Sequence, residues 1–353
     1  MSRPGTPTAI VLTAVALLTV LVGLTVKATG GGLGAPLPPF FASWDPHVDV
    51  YALVGLPVVL IALAAALPLL RGHGGTATFV AAAFALTLAA RLGVSLIRDG
   101  ADGWYAVFSS TPEAANEYLP ALPAVDSLGL RDFLDRFAEL APTLPIHPSA
   151  HPPGLLVLIE VTGIDDARGL AAVVILAGAA AVPLTYALAR RLEVAEPRAR
   201  AATMLIAFSP AALLYGVLSA DALFVTLGLL AACGLVGSGA GSWVAGGLSL
   251  ALASFFSWAL LAVGAFAAVV QLLRRGLRSA VGMALVAGVI LAAVYGVLYA
   301  ATGFDPIGSI RAAGDAYALG ISNARPYLFW LFGSPVAFAV ALGIPTAWYA
   351  ARA

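Results

Sequence analysis

Charge is what this sequence has least of. Asp, Glu, Lys and Arg make up 10% of its residues, against about 25% in soluble domains, and acidic and basic residues cancel at 18 each. The scarcity excludes a water-solvated globule. The zero balance excludes a basic field that would attract nucleic acid, and equally an acidic tail that would gather cations. Cysteine is nearly missing too: Cys233 stands alone in an apolar stretch, so no disulfide framework within the chain holds the fold and the thiol reads as buried and inert. No tandem repeat is visible, and the Gly-rich stretch at 30–34 follows no strand, so it reads as a turn rather than a phosphate cradle.

What is abundant is hydrophobicity, at 61% of the chain. Apolar runs at 9–26, 51–70, 76–97, 168–189, 200–217, 221–237, 243–256, 257–273, 280–300 and 326–349 mostly approach the ~20 residues needed to cross a bilayer. The expected fold is therefore all-α, a polytopic transmembrane bundle of about ten helices. The first run, Ala9 to Val26, exceeds the about 7–15 residues of a secretory h-region and is expected to be a first transmembrane helix with Arg3 in the cytoplasm. The runs 243–256 and 257–273 are short and meet at Phe255, Phe256, Ser257 and Trp258. Positive charge sets the orientation. Arg190, Arg191, Arg198 and Arg200 share one connection and Arg274, Arg275 and Arg278 another, and both belong inside a cell membrane by the positive-inside rule. Pairing 200–217 with 221–237, and 243–256 with 257–273, as hairpins meets that parity, leaves Arg71 and Arg352 inside, and puts both termini in the cytoplasm.

Three connections then face outward: 27–50, 98–167 and 301–325. The middle one carries Asp99, Asp102, Glu113, Glu117, Asp126, Asp132, Asp135 and Glu139, opposed only by Arg98, Arg131, Arg136 and Arg168. Within it, 128–140 places Leu130, Phe133, Leu134 and Phe137 at helical spacing, predicting an amphipathic helix along the membrane surface or over a site. After Pro152 and Pro153, Leu155 to Thr162 is too short to span and is expected to dip into the outer leaflet.

Two stretches of this loop carry chemistry. In Asn116-Glu117-Tyr118-Leu119-Pro120, a carboxylate beside the membrane can act as a general base, since a low-dielectric setting raises its pKa; a merely solvated carboxylate is the alternative. In Pro145-Ile146-His147-Pro148-Ser149-Ala150-His151-Pro152-Pro153-Gly154, two of four histidines lie between prolines that stiffen the backbone. They can hold an anion or move a proton, or His151 can simply cap the backbone. No metal ligands are assigned, because no further histidine or cysteine completes a set; the sequence requires no cofactor and admits a divalent cation. Asp221, after Ser219 and Ala220, reads as a helix N-cap in preference to a substrate contact. Arg325 can meet a lipid phosphate or serve as an interfacial anchor beside Tyr327 and Trp330. Arg91, about two turns inside the third span, must snorkel or pair with an acidic group. Asp45 and His47 rank below these.

The order Asn116-Glu117-Tyr118, His151-Pro152-Pro153-Gly154-Leu155-Leu156, Tyr186-Ala187-Leu188-Ala189-Arg190-Arg191-Leu192, Phe208-Ser209-Pro210 and Asp221-Ala222-Leu223-Phe224 resembles the GT-C type membrane glycosyltransferases. The likeness is to the branch holding protein O-mannosyltransferases and the transferases that place aminoarabinose on lipid A. It covers about residues 100 to 300, so that 76–353 reads as a GT-C-like core with outer loop 98–167, and 1–75 as two further helices. The resemblance implies transfer of a sugar, with inversion, from a polyprenyl-phosphate donor to a glycan, lipid or protein acceptor on the extracytoplasmic face. Glu117 matches the family's acidic position, as base or acceptor-orienting group, and His151 the His/Lys position that neutralises the leaving phosphate. His147, Tyr118, Asp221, Arg325 and Arg91 are the expected substrate contacts. Asn116 stands where the family usually has a first carboxylate, and Gly154 where it has Leu. The chain ends soon after its tenth apolar run, so a fragment or a short variant is open. A secondary transporter or lipid flippase, and a catalytically silent membrane partner, are the competing readings.

Overall fold

A computed structural model of the chain describes residues 6–40, 49–72 and 74–352. Arg3, Asp45 and His47 lie outside the described residues, as does the side chain of Arg352. Among the described residues all regular elements are helical, with one isolated bridge between Leu37 and Phe40. The principal helices in chain order are α1 (Thr6–Ala28), α2 (Ala52–Leu70), α3 (Thr76–Asp99), α4 (Leu130–Asp135), α5 (Phe137–Leu140), α6 (Ile146–Ala150), α7 (Gly154–Thr162), α8 (Ala167–Ala179) and α9 (Ala181–Arg191). There follow α10 (Glu196–Ala207), α11 (Pro210–Leu218), α12 (Asp221–Leu235), α13 (Ala240–Phe256), α14 (Ala262–Arg275), α15 (Leu277–Thr302), α16 (Pro306–Leu319), α17 (Tyr327–Leu342) and α18 (Ile344–Arg352).

Among the described residues six helical stretches are long and apolar enough to cross a membrane, and up to eight are if each of two bent pairs counts as one span. The remaining two of the ten expected runs, 221–237 and 243–256, form the shorter apolar helices α12 and α13 of 15 and 17 residues. At 1.5 Å per residue they reach roughly 22–26 Å, less than the ~30 Å hydrocarbon core. The bent pairs have local causes. Between α10 and α11 the axis turns by 51° where Pro210 removes a backbone donor. Between α17 and α18 it turns by 115° at Gly343, whose φ of 100° a side chain would resist.

Internal contacts divide the chain into two compact units. The terminal unit comprises Met1–Val48, Ser209–Ala211 and Tyr317–Ala353, with α1 packed on α17 and α18. Here Trp330 Nε1 donates to the Leu33 carbonyl at 2.8 Å, and the Arg325 guanidinium lies over the Trp330 ring at 5.6 Å. The core unit comprises Asp49–Phe208 and Ala212–Ala316. Its helices approach through small residues, as membrane helices must where no water drives association. A methyl on Gly93 of α3 would lie 3.0 Å from the Gly55 carbonyl oxygen of α2, so no larger residue fits that crossing.

One end of the core unit is basic. Arg200 donates to the carbonyls of Leu69 and Gly74, each at 3.2 Å, Arg191 to that of Cys233 at 2.7 Å, and Arg275 to that of Val236 at 2.8 Å, while Arg274 pairs with Glu193 at 2.6 Å. These bonds gather the ends of α2, α9, α12 and α14 and satisfy carbonyls that the helix ends leave open. The acidic stretch 100–166 begins at the opposite end of α3, some 36 Å away along a helix of 24 residues.

That stretch is a folded cap with a hydrophobic core. Val125, Phe133, Phe137, Leu155, Ile159 and Phe304 are buried together in it. The helix expected over 128–140 is broken at Arg136 into α4 and α5, although Phe133, Leu134 and Phe137 do form its buried face. Its apolar side packs into the cap rather than along a lipid surface. The same holds for α7, expected to dip into lipid: Leu155, Leu156 and Ile159 are buried in the cap and Val161 points outward. Helix α16 was not foreseen in the connection 301–325, because Arg311 and Asp315 break its apolar pattern.

Candidate functional site

Prolines set the frame of the site. Pro112 opens a tight turn over Pro112–Asn116, which delivers Glu117 in extended backbone (φ −84°, ψ −174°), and Pro120 and Pro123 stiffen the turns that follow. Glu117 is 3% exposed and Tyr118 2%, held by the cap core. From the other side, α6 starts after Pro145 and presents His147. Its Nε2 lies 3.0 Å from Glu113 Oε1 and 3.7 Å from Glu117 Oε1. Glu117 Oε2 is buried with no hydrogen-bond partner among the described residues.

Glu113 is the group that sequence reasoning missed. Asn116 holds it, donating from Nδ2 to Glu113 Oε2 at 3.4 Å. The second carboxylate beside Glu117 thus comes from four residues upstream, on a turn. The only available signal was the paired spacing of Glu113 and Glu117 ahead of a proline, which many solvated loops share. With His147, the two carboxylates form a set whose potential ligand atoms lie within 4.8 Å of one another, a grouping of carboxylates around one histidine rather than of two histidines.

His151 ends α6, its ring meeting the edge of Phe224 at 5.3 Å. Asp221, the first residue of α12, lies close enough to act electrostatically on Glu117, Tyr118 and His151. It is the first helical residue rather than the cap expected of it: the cap position falls on Ala220 with no side-chain cap bond, and the Asp221 backbone N–H donates to Ser219 Oγ at 3.2 Å.

Burial pushes the Glu117 carboxyl from 4.5 up to about 7, with Glu113 and Asp221 adding to the rise and His147 opposing it. Burial lifts the Tyr118 phenol well above its ordinary value, helped by Asp221 and Glu117. It holds the His151 imidazole below its usual range, and His147 works the same way against Asp221. The folded protein keeps a proton on Glu117 that the unfolded chain releases, so stability is greatest below about pH 4.5 and declines as pH rises to about 7. At about 1.4 kcal/mol per pKa unit the loss is on the order of 3 kcal/mol. In metal-free protein, thermal unfolding at pH 5 and pH 8 is expected to show this loss for the wild type, and Glu117→Gln to remove it.

Gly154 sits where two helices meet at close range. A methyl there would lie 2.7 Å from the Phe255 carbonyl carbon, closer still to its oxygen, and 3.0 Å from the Phe256 ring. The start of α7 therefore rests directly on the end of α13, and Leu cannot enter. Gly154→Ala is expected to cost about 1–3 kcal/mol by overpacking, read as a lowered thermal midpoint.

No ion pair to Arg91 is found among the described residues. Arg91 is 3% exposed on α3, and its Nε and Nη1 have no hydrogen-bond partner among the described residues. The guanidinium fits because two neighbouring helices offer glycine: a methyl on Gly216 would lie 2.6 Å from Cζ, and one on Gly178 3.2 Å from Nη1. Gly178 in turn abuts Ala222, next to Asp221. One turn further toward the cap, Ser95 Oγ is also buried without a partner. Ser95 borders an apolar groove of about 470 Å³ between α3 and α8, lined also by Leu92, Trp104, Ile175 and Leu176. Arg325 belongs to the terminal unit, where it lies over Trp330 and donates to the Gly34 carbonyl at 3.4 Å.

Comparison with protein-family models, curated proteins and solved structures gives no match to this chain.

Proposed function

We propose that the chain is a membrane glycosyltransferase which moves a sugar from a polyprenyl-phosphate donor to an acceptor on the extracytoplasmic face, with inversion. The observation that carries the reading is the electrostatic cluster in which Asp221 acts on buried Glu117, on Tyr118 and on His151, and His147 acts on both Glu117 and His151, at the end of the core unit away from its basic end. By the positive-inside rule that cluster faces outward and the basic end inward.

In this mechanism the acceptor oxygen attacks the anomeric carbon from the face opposite the phosphate. As the new C–O bond forms, the C–O bond to the lipid phosphate breaks and the hydroxyl proton passes to Glu117. A carboxylate whose pKa lies near 7 suits that task, because it is substantially ionised at neutral pH and still basic enough to take a proton. His151 meets the departing phosphate. Its neutral imidazole offers an N–H to the oxyanion, and negative charge growing beside it favours protonation. The buried charge of Arg91, one packing layer beneath Asp221, adds a positive field that favours a phosphate at this end of the membrane.

Arg91 also favours a second reading. An unpaired cation within a span is a feature of transporters and flippases. Purified protein in lipid, given radiolabelled polyprenyl-phosphate sugars and crude envelope acceptors, separates the two. Transfer that falls in Glu117→Gln and His151→Ala supports the enzyme, whereas counterflow without transfer supports transport.

A further inference from the structure

We propose that Glu113, Glu117 and His147 form a binding site for one divalent transition-metal ion, of the zinc or manganese kind. Glu113 Oε1 and His147 Nε2 lie 3.0 Å apart, and Glu117 Oε1 lies 3.7 Å from the same nitrogen. Separations of this size fit ligands placed about 2.0–2.2 Å from a shared ion. The second observation is independent of the clustering. Glu117 is 3% exposed, one of its carboxylate oxygens faces this nitrogen, and the other has no hydrogen-bond partner among the described residues. A buried carboxylate carries a heavy desolvation cost unless a counter-charge meets it, and one imidazole shared with Glu113 does not offset two carboxylates.

Donor chemistry selects the ion. Two carboxylates and an imidazole suit zinc or manganese, whereas calcium and magnesium take oxygen ligands and seldom accept a ring nitrogen. Three protein ligands leave at least one coordination position open, the pattern of sites that bind water or a substrate oxygen. The Glu113 and His147 side chains are 52% and 37% exposed, so the ion enters from that side while Glu117 closes the buried one. The backbone is preset for it, with Pro112 ahead of Glu113 and Pro145 ahead of His147.

Metal binding is independent of the transfer reading, and its test uses no turnover. Full-length protein in lipid nanodiscs is stripped with chelator, then dialysed against Zn²⁺ or Mn²⁺, and bound metal is counted by mass spectrometry. One equivalent is expected, with Mg²⁺ and Ca²⁺ failing to compete. Glu113→Gln and His147→Ala are each expected to weaken binding more than tenfold, and His151→Ala to leave it unchanged. Glu113→Gln alters an exposed side chain, so it separates loss of a ligand from loss of the fold; unfolding curves run in parallel check this. Manganese bound to the wild type is expected to show one nitrogen ligand by electron-spin-echo spectroscopy. Less than a tenth of an equivalent in the wild type, or equal binding in all three variants, would overturn the proposal and leave a His147–Glu113 hydrogen bond beside Glu117 alone.

Discussion

Glu117→Gln is expected to lower sugar transfer by a factor on the order of 10²–10⁴, the range for losing a positioned general base, with little change in donor binding. The amide keeps the shape of the side chain and loses only its capacity to take a proton. The loss should fall on kcat rather than KM, because proton transfer matters in the transition state and not in the ground-state complex. The same variant should be the more stable protein at pH 8, since it no longer buries an ionised carboxylate. Opposite changes in rate and stability distinguish a catalytic group from a structural one, whose loss would lower both. Initial rates over a range of donor concentrations, with unfolding curves on the same preparations, measure the pair.

Arg91→Met has the second large effect, again with opposite signs. The guanidinium is buried with two nitrogens unpartnered, and an uncompensated buried charge is among the costliest features a fold can carry. A flexible apolar side chain of similar length is expected to raise stability by about 1–4 kcal/mol. If Arg91 serves an anionic substrate, the same change should lower transfer at least tenfold, through weaker donor binding. Gly216 supplies an independent check. Because a methyl there would lie 2.6 Å from Cζ and 2.8 Å from Cδ of Arg91, Gly216→Leu should destabilise the wild type by about 1–3 kcal/mol and much less in the Arg91→Met background. A double-mutant cycle read by thermal unfolding gives that coupling directly.

The elements legible in the sequence were those fixed by local composition. Helix α15 is apolar over 26 residues and its place follows from hydropathy alone. The basic connections after α9 and α14 do lie at one end, because arginines near a helix terminus find its open carbonyls. Illegible were features decided by residues far apart in the chain. Nothing in the neighbourhood of Arg91 reveals that Gly178 and Gly216 make room for its charge. The sequence does not reveal that a turn of five residues lets Asn116 hold Glu113 beside His147 and Glu117. Asp is a common N-cap, but the helix starts one residue earlier than its position suggests, with Ala220 at the cap and Asp221 already inside the first turn. The run 221–237 extends past the end of α12 at Leu235 because the residues that follow it, Val236 and Gly237, are themselves apolar.

The measurement that bears most directly on the account is transfer in sealed vesicles holding the protein in one known orientation. Radiolabelled polyprenyl-phosphate sugar is present in the membrane, and acceptor is supplied on one side at a time. Product is expected only when acceptor bathes the face carrying residues 100–166, and Glu117→Gln should suppress it. Product formed from the side of Arg191 and Arg275, or formed undiminished by the variant, would contradict the account.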